Sequence, residues 1–260
     1  METKIKAHFT APELLNPTNP ISVCLIGAGG TGSQVLTGLA RMSHSLQQLG
    51  HAGLQVSLWD DDVITGANRG RQLFAQCEVS LSKAAALITR TNRFFGTAWK
   101  AVEKPFAPAT ATGRHSIYIS CVDTAAVRFG IAEVLQGLDL SGYHADTPRY
   151  WMDFGNGRDT GQVILSTIGS IKQPVSENFE TIENLPFVTQ EFGELLRQSD
   201  NDDTPSCSLA EALEKQDLFI NSTLVQMGCS LLWQLFRKGY TGQRGVFVSL
   251  RDFRMIPLPL

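Results

Sequence analysis

The sequence predicts an α/β fold: a doubly wound, Rossmann-like, mostly parallel sheet with a C-terminal mixed or antiparallel extension and a crossover segment. Three observations point there. Over roughly the first 120 residues, apolar β-branched runs alternate with helix-period stretches. The first run passes through a glycine turn, "GAGGTGS", into the first helical stretch. The second run ends in an acid, Asp60.

Taken in order, the chain begins with a lead dotted by Pro12, Pro17 and Pro20. "ISVCLIGAGG" then reads as a strand covered on both faces, because its apolar run is broken only by Ser22. "SQVLTGLARMSHSLQQLG" reads as a helix, closed by Gly50 and Gly53, and "LQVSLWD" as the second strand. "SKAAALITRTNRFF" is a helix with Ser80 or Ser82 as its cap. "SIYISCVD" is a third strand, "AAVRFGIAEVLQG" a helix, and "RYWMDFGNG" with "TGQVILSTIG" two strands about a glycine turn. The acidic, loop-rich stretch from Gln173 to Thr204 reads as a crossover or lid with a short helix. A long helix near Ser222–Lys238 and a strand "GVFVSL" complete one domain over 1–260: a core at 21–170, a crossover at 171–206, and a C-terminal helix and strand at 207–260.

Composition narrows the function classes. Of 260 residues, 43% are hydrophobic and 18% charged, an ordinary globular balance, and the net charge of -3 provides no general field for nucleic acid. The N-terminus lacks an apolar core of the signal-peptide kind, and polar residues from Asn221 to Gln234 interrupt the longest apolar stretch. No membrane span is expected. Five cysteines without a CxxC pair argue against a zinc knuckle or a secreted disulfide framework, and point to a reducing, cytoplasmic setting. The five histidines form no metal-ligand pattern.

Gly27, Gly29 and Gly32 stand in G-x-G-x-x-G spacing between a strand and a helix. There the first glycine makes a tight turn, the second admits phosphate to backbone N–H groups, and the third lets helix and strand pack closely. Asp60 is the acid for ribose hydroxyls, although it lies 33 positions after Gly27 where the usual interval is about 20. Hydride transfer has no need of the group that follows, Asn68, Arg71, Gln72 and then Lys83. Adenylyl transfer does, because negative charge spreads over the α-phosphate and the departing pyrophosphate. Arg71 and Lys83 suit those phosphates, Asn68 and Gln72 suit the α-phosphate or acyl oxygen, and Asp123 ends its strand where an Mg²⁺ ligand belongs.

"GAGGTGS", "LWDDDVITGANRGRQLF", Lys83 and "SCVDT" together resemble the signature set of the ThiF/MoeB/ubiquitin-activating superfamily: G-x-G-G-x-G, D-x-D, N-x-x-R-Q, a lysine and a strand-end aspartate. "TPSCSLAEAL" resembles that superfamily's cysteine segment, and the closest likeness is to the ThiF family of the bacterial PRTRC system. The resemblance implies that Gly27, Gly29, Gly30 and Gly32 line a nucleotide cleft with Asp60 on the ribose. It implies that Asn68, Arg71, Gln72 and Lys83 serve the phosphate side, that Asp62 supports the loop or the metal, and that Asp123 ligates Mg²⁺. The implied reaction is ATP-dependent adenylation of the C-terminal glycine carboxylate of a small ubiquitin-like β-grasp protein by a cytoplasmic homodimer. Neither nucleic acid nor membrane takes part. Whether Cys207 then accepts the acyl group as a thioester, or is an incidental loop cysteine, stays open. Many relatives hold zinc on two CxxC pairs; this chain has neither pair, so ATP and Mg²⁺ without zinc are expected. The alternatives are an NAD(P)-dependent oxidoreductase on the same turn, and a nucleotide-binding scaffold without turnover.

Overall fold

A computed structural model describes residues 4–111, 113–140, 146–199 and 216–260. Its chief element is an eight-stranded sheet in the order β11-β10-β7-β6-β5-β2-β3-β4. The members are β2 (Ile21–Ile26), β3 (Leu54–Trp59), β4 (Lys100–Val102), β5 (Ile117–Ser120), β6 (Tyr150–Asn156), β7 (Thr160–Thr167), β10 (Gln243–Ser249) and β11 (Arg254–Pro259). From β4 to β6 every neighbour is parallel; from β6 to β11 every neighbour is antiparallel. This is the mostly parallel sheet with an antiparallel extension that the sequence predicts.

Strand alternation divides the core into two layers. Val23, Leu25, Ile117, Ile119, Met152 and Phe154 face one side, where helices α1 (Gly32–Gln48), α2 (Lys83–Phe95) and α6 (Ile220–Lys238) cover them. Cys24, Ile26, Tyr118 and Trp151 face the other, under α3 (Ala125–Gln136), α4 (Val188–Glu191) and α5 (Gly193–Ser199). Central strands therefore need apolar residues at every position, and β5 is buried along its whole length.

Helix ends follow local chemistry. Ser82 is the α2 cap, its hydroxyl accepting from the Ala85 N–H at 3.3 Å. Helix α2 ends at the left-handed Gly96, and α6 at the left-handed Gly239 behind Arg237 and Lys238.

Five strands lie outside the sequence expectations. Strand β4 has only three residues, too short for a period-2 signal. Strand β11 carries Pro257 and Pro259, which are tolerated on an edge where the missing N–H faces away from the neighbouring strand. Strand β1 (Ile5–Phe9) lies in the proline-dotted lead and pairs with β8 (Phe179–Thr181) and β9 (Tyr240–Thr241) in a separate small sheet. The acidic crossover thus contributes a strand as well as its short helices. Among the described residues, no helix is long and apolar enough to cross a membrane.

The chain runs outward from β2 through β3 to β4, then resumes on the other side of β2 with β5. The strand order therefore reverses between β2 and β5, and the segments following these two strands meet there.

Candidate functional site

At that reversal the glycine turn packs against the segment after β5. The Cys121 N–H donates to the Ile26 carbonyl at 2.8 Å. Gly27 has φ +93°, and a Cβ there would lie 2.5 Å from the Cys121 carbonyl oxygen. A Cβ at Gly32 would lie 1.9 Å from the Gly27 carbonyl oxygen, and one at Gly30 would lie 2.5 Å from Asn221 Nδ2. Gly29 differs: a Cβ there would meet nothing within 4 Å. Three glycines are thus demanded by packing, while the fourth faces open space above the turn. The Ser33 N–H, bonded to the Gly29 carbonyl at 3.0 Å, makes the first bond of α1. N–H groups ahead of it have no intrahelical acceptor, and Thr31 provides no side-chain cap.

Asp60 follows β3 directly and is tied to this turn. One carboxylate oxygen accepts from the Ala28 N–H at 2.6 Å, and the other from the Asp62 N–H at 3.1 Å. Each oxygen keeps a further lone pair for a hydroxyl. Burial raises the Asp60 pKa, against the opposing effects of the Ala28 N–H and of Lys83 nearby. Lys83, the first residue of α2, places Nζ 2.7 Å from Asp62 Oδ2, and its N–H donates to the Asp62 carbonyl at 3.0 Å. The lysine side chain is 9% exposed and the aspartate 67%, so the pair presents its acid outward.

Between β3 and α2 the Asn68–Gln72 loop turns back on itself. Asn68 Oδ1 accepts from the Thr65 N–H at 2.8 Å and from its hydroxyl at 3.1 Å, while the Asn68 carbonyl accepts from the Gln72 N–H at 2.9 Å. Asn68 therefore shapes the loop through its oxygens. Gln72 is buried with its Oε1 lacking a hydrogen-bond partner. Arg71 donates through Nη1 to Gln216 Oε1 at 2.9 Å, and its Nε is buried without an acceptor. Burial lowers the Arg71 pKa, and the charge of Asp123 opposes this. Arg71 and Asp123, one from each side of the strand-order reversal, thus lie within electrostatic reach of each other.

Asp123 is exposed just ahead of α3, whose Thr124 hydroxyl accepts from the Val127 N–H at 3.4 Å. Behind it sits a buried ion pair that sequence reasoning missed. Arg128 Nε lies 3.2 Å from both oxygens of Asp153, and Nη2 donates to the Phe154 carbonyl at 3.0 Å and to the Val122 carbonyl at 2.5 Å. Ser120 donates to Asp153 Oδ1 at 2.5 Å. Asp153 alone would read as an acid in an apolar strand, and only the register of β5 with β6 brings it beside Ser120.

The structure thus links Asp60 to the glycine turn through Ala28, Lys83 to Asp62, and Arg71 to Asp123 by charge, while Gln72 is buried beside Arg71 and Asn68 supports their loop. Cys207 lies outside the described residues. Of the described cysteines, Cys24 is buried, Cys121 and Cys229 are partly buried, and Cys77 is exposed. Among the described residues no group of three or more His, Cys, Asp or Glu side chains forms a metal cage. A lone carboxylate such as Asp123 fits Mg²⁺ of the kind shared with substrate phosphates, which needs only one or two carboxylates from the protein.

No family model and no curated protein matches the chain. Solved structures do. E. coli MccB is similar with a TM-score of 0.60 at 12% identity, covering 95% of this chain and 63% of that one. MccB solved with ATP gives 0.58 at 12% identity, over 95% and 65%. PaaA gives 0.58 at 15% identity, over 95% and 65%. The chain therefore spans a little under two thirds of the length of these proteins. At such identities the likeness concerns architecture, and this chain has the α/β fold of MccB and PaaA.

Proposed function

We propose that the chain is an adenylating enzyme of the ThiF/MoeB/ubiquitin-activating superfamily, acting on ATP and on the C-terminal carboxylate of a small partner. One observation carries this reading: the glycine turn is held on one side by Asp60, through Ala28, and tied on the other to Arg71 through Thr31, Asn221 and Gln216. A sugar-binding acid and a phosphate-binding cation thus share one turn. MccB, which has this fold, has been solved with ATP, with AMPCPP and with MccA, in keeping with a nucleotide and a small peptide or protein here.

Asp60 accepts the ribose hydroxyls on its free lone pairs. Gly29 lets the triphosphate approach the N–H groups at the start of α1, and Arg71 and Lys83 supply positive charge. The partner's carboxylate oxygen attacks the α-phosphorus; the α–β P–O bond breaks, and pyrophosphate leaves with its electron pair. Mg²⁺, when bound, neutralises phosphate charge, and Asp123 is the residue that would hold it. The partner is a ubiquitin-like β-grasp protein ending in glycine, as for a PRTRC-type member, and the enzyme works as a cytoplasmic homodimer. Cys207 is the candidate acceptor for a subsequent thioester.

ATP–pyrophosphate exchange tests this. Exchange should depend on a β-grasp partner encoded nearby and fall by about 10²–10³-fold in Arg71→Ala and Lys83→Ala. Tight NAD(P)H binding without ATP binding would replace this reading with an oxidoreductase. ATP binding without AMP formation from any partner would leave a scaffold.

A further inference from the structure

Arg71 and Arg128 both lie beside the segment that carries Asp123, and they are held in opposite ways. Arg128 meets a carboxylate, Asp153, so its charge is neutralised inside the protein. Arg71 meets a neutral amide oxygen, Gln216 Oε1, at 2.9 Å. An amide fixes one edge of a guanidinium without cancelling its charge, and the planar fork then aims its remaining N–H groups elsewhere. The buried Arg71 Nε, without an acceptor among the described residues, is one of these.

Gln216 is itself oriented. Its Nε2 donates to the Gly157 carbonyl at 3.3 Å, which turns its oxygen toward Arg71. That oxygen also accepts from Asn221 Nδ2 at 3.1 Å. Asn221 Oδ1 in turn accepts from the Thr31 hydroxyl at 3.0 Å. The two amides are 9% and 1% exposed, so each bond runs where water competes little and a lost partner is costly. Position 30 takes part as well, since a Cβ on Gly30 would strike Asn221 Nδ2. One relay therefore spans the glycine turn, the start of α6, the β6–β7 turn and Arg71.

Resting on the adenylation reading, we infer that Gln216 and Asn221 are positioning residues: they lock the Arg71 guanidinium to the glycine turn without an ion pair of their own and so aim its charge at the nucleotide phosphates. Sequence reasoning had one signal for this, Asn221 interrupting an apolar helix.

The test is calorimetric binding of Mg–ATP, pyrophosphate and adenosine to the full chain, with thermal melting as the check on folding. Gln216→Met should weaken ATP and pyrophosphate by roughly 10- to 100-fold, the range for a charged hydrogen bond, and leave adenosine binding unchanged. In an Arg71→Ala background the same substitution should produce no further loss. Should Gln216→Met fail to fold, Gln216→Glu retains both accepted bonds and places a carboxylate on Arg71; it should weaken ATP while sparing adenosine. Equal losses for ATP and adenosine, additivity with Arg71→Ala, or an unchanged ATP affinity in Gln216→Glu would each overturn the inference while the adenylation reading stands. A wild-type chain that binds neither ATP nor pyrophosphate overturns both.

Discussion

Gly29 and Gly32 belong to one motif but answer to different forces. Gly32 is glycine because its neighbour's carbonyl occupies the space a Cβ would need; Gly29 is glycine with open space around it. Gly32→Ala should therefore destabilise the fold by roughly 3 kcal/mol, at the upper end of overpacking costs. Gly29→Ala should shift stability by less than about 0.5 kcal/mol yet weaken ATP, because the added methyl intrudes on the approach to the turn. Urea unfolding together with ATP titration of both variants separates the two effects; a Gly29→Ala protein that binds ATP normally would remove the turn from the site. The motif spacing was legible in the sequence. The split between packing glycines and the approach glycine was not, since it depends on Cys121 meeting Gly27, on Asn221 meeting Gly30, and on the turn folding the Gly27 carbonyl over Gly32.

Helix α3 is fastened to β6 by Arg128 and Asp153, both almost fully buried at 5% and 1% side-chain exposure. Removing one partner leaves a buried charge unpaired, so Asp153→Asn or Arg128→Met should cost about 3–5 kcal/mol, whereas replacing both together should cost less than the two single changes combined. Chemical denaturation of the two single variants and the double variant checks this, and simple additivity would show the pair to be energetically independent. Through Val122 the same arginine supports the loop that carries Asp123, so the single variants should also weaken any Mg²⁺ requirement. The sequence placed α3 and β6 correctly as elements. It held no sign that they were joined by an ion pair, because the partners meet only through the sheet register.

At the scale of the whole molecule, one buried histidine, His8, and one half-buried histidine, His115, tie distant parts together. His8 in the small sheet bonds to Tyr150 of the main sheet at 2.9 Å and to the Ile182 carbonyl at 2.6 Å. His115 bonds to the Ser22 hydroxyl at 2.7 Å. Burial lowers the pKa of His8, opposed by the Ile182 bond, and takes His115 down to about 4. Above about pH 6.5 both are neutral whether folded or unfolded. As pH falls below that value the unfolded chain takes up protons that the folded chain refuses, so stability declines until the folded His115 titrates near pH 4. His115→Asn should remove part of this decline, roughly 1–3 kcal/mol between pH 7 and pH 4. Melting curves of wild type and variant across that range give the comparison, and parallel curves would sink the idea. The same scale explains β11, whose two prolines guard an edge that would otherwise offer bonds to another strand.

The sequence by itself determined the order of strand, glycine turn and helix, the doubly wound α/β class, and the residue types of the candidate site: the glycines, Asp60, Arg71, Lys83 and Asp123. These are legible because period, caps and motif spacing are local properties of the chain. Tertiary structure decided how those residues are held. Asp60 grips Ala28, Lys83 pairs with Asp62, and Arg71 rests on an amide from a segment about 145 positions away. It also decided that β1, β4, β8, β9 and β11 exist as strands: β4, β8 and β9 have three residues or fewer, β11 carries two prolines, and β1 pairs only with segments remote in sequence. Hydrogen bonds between remote segments leave no period in a sequence. They appear only when the sheet sets its register and the helices close over it.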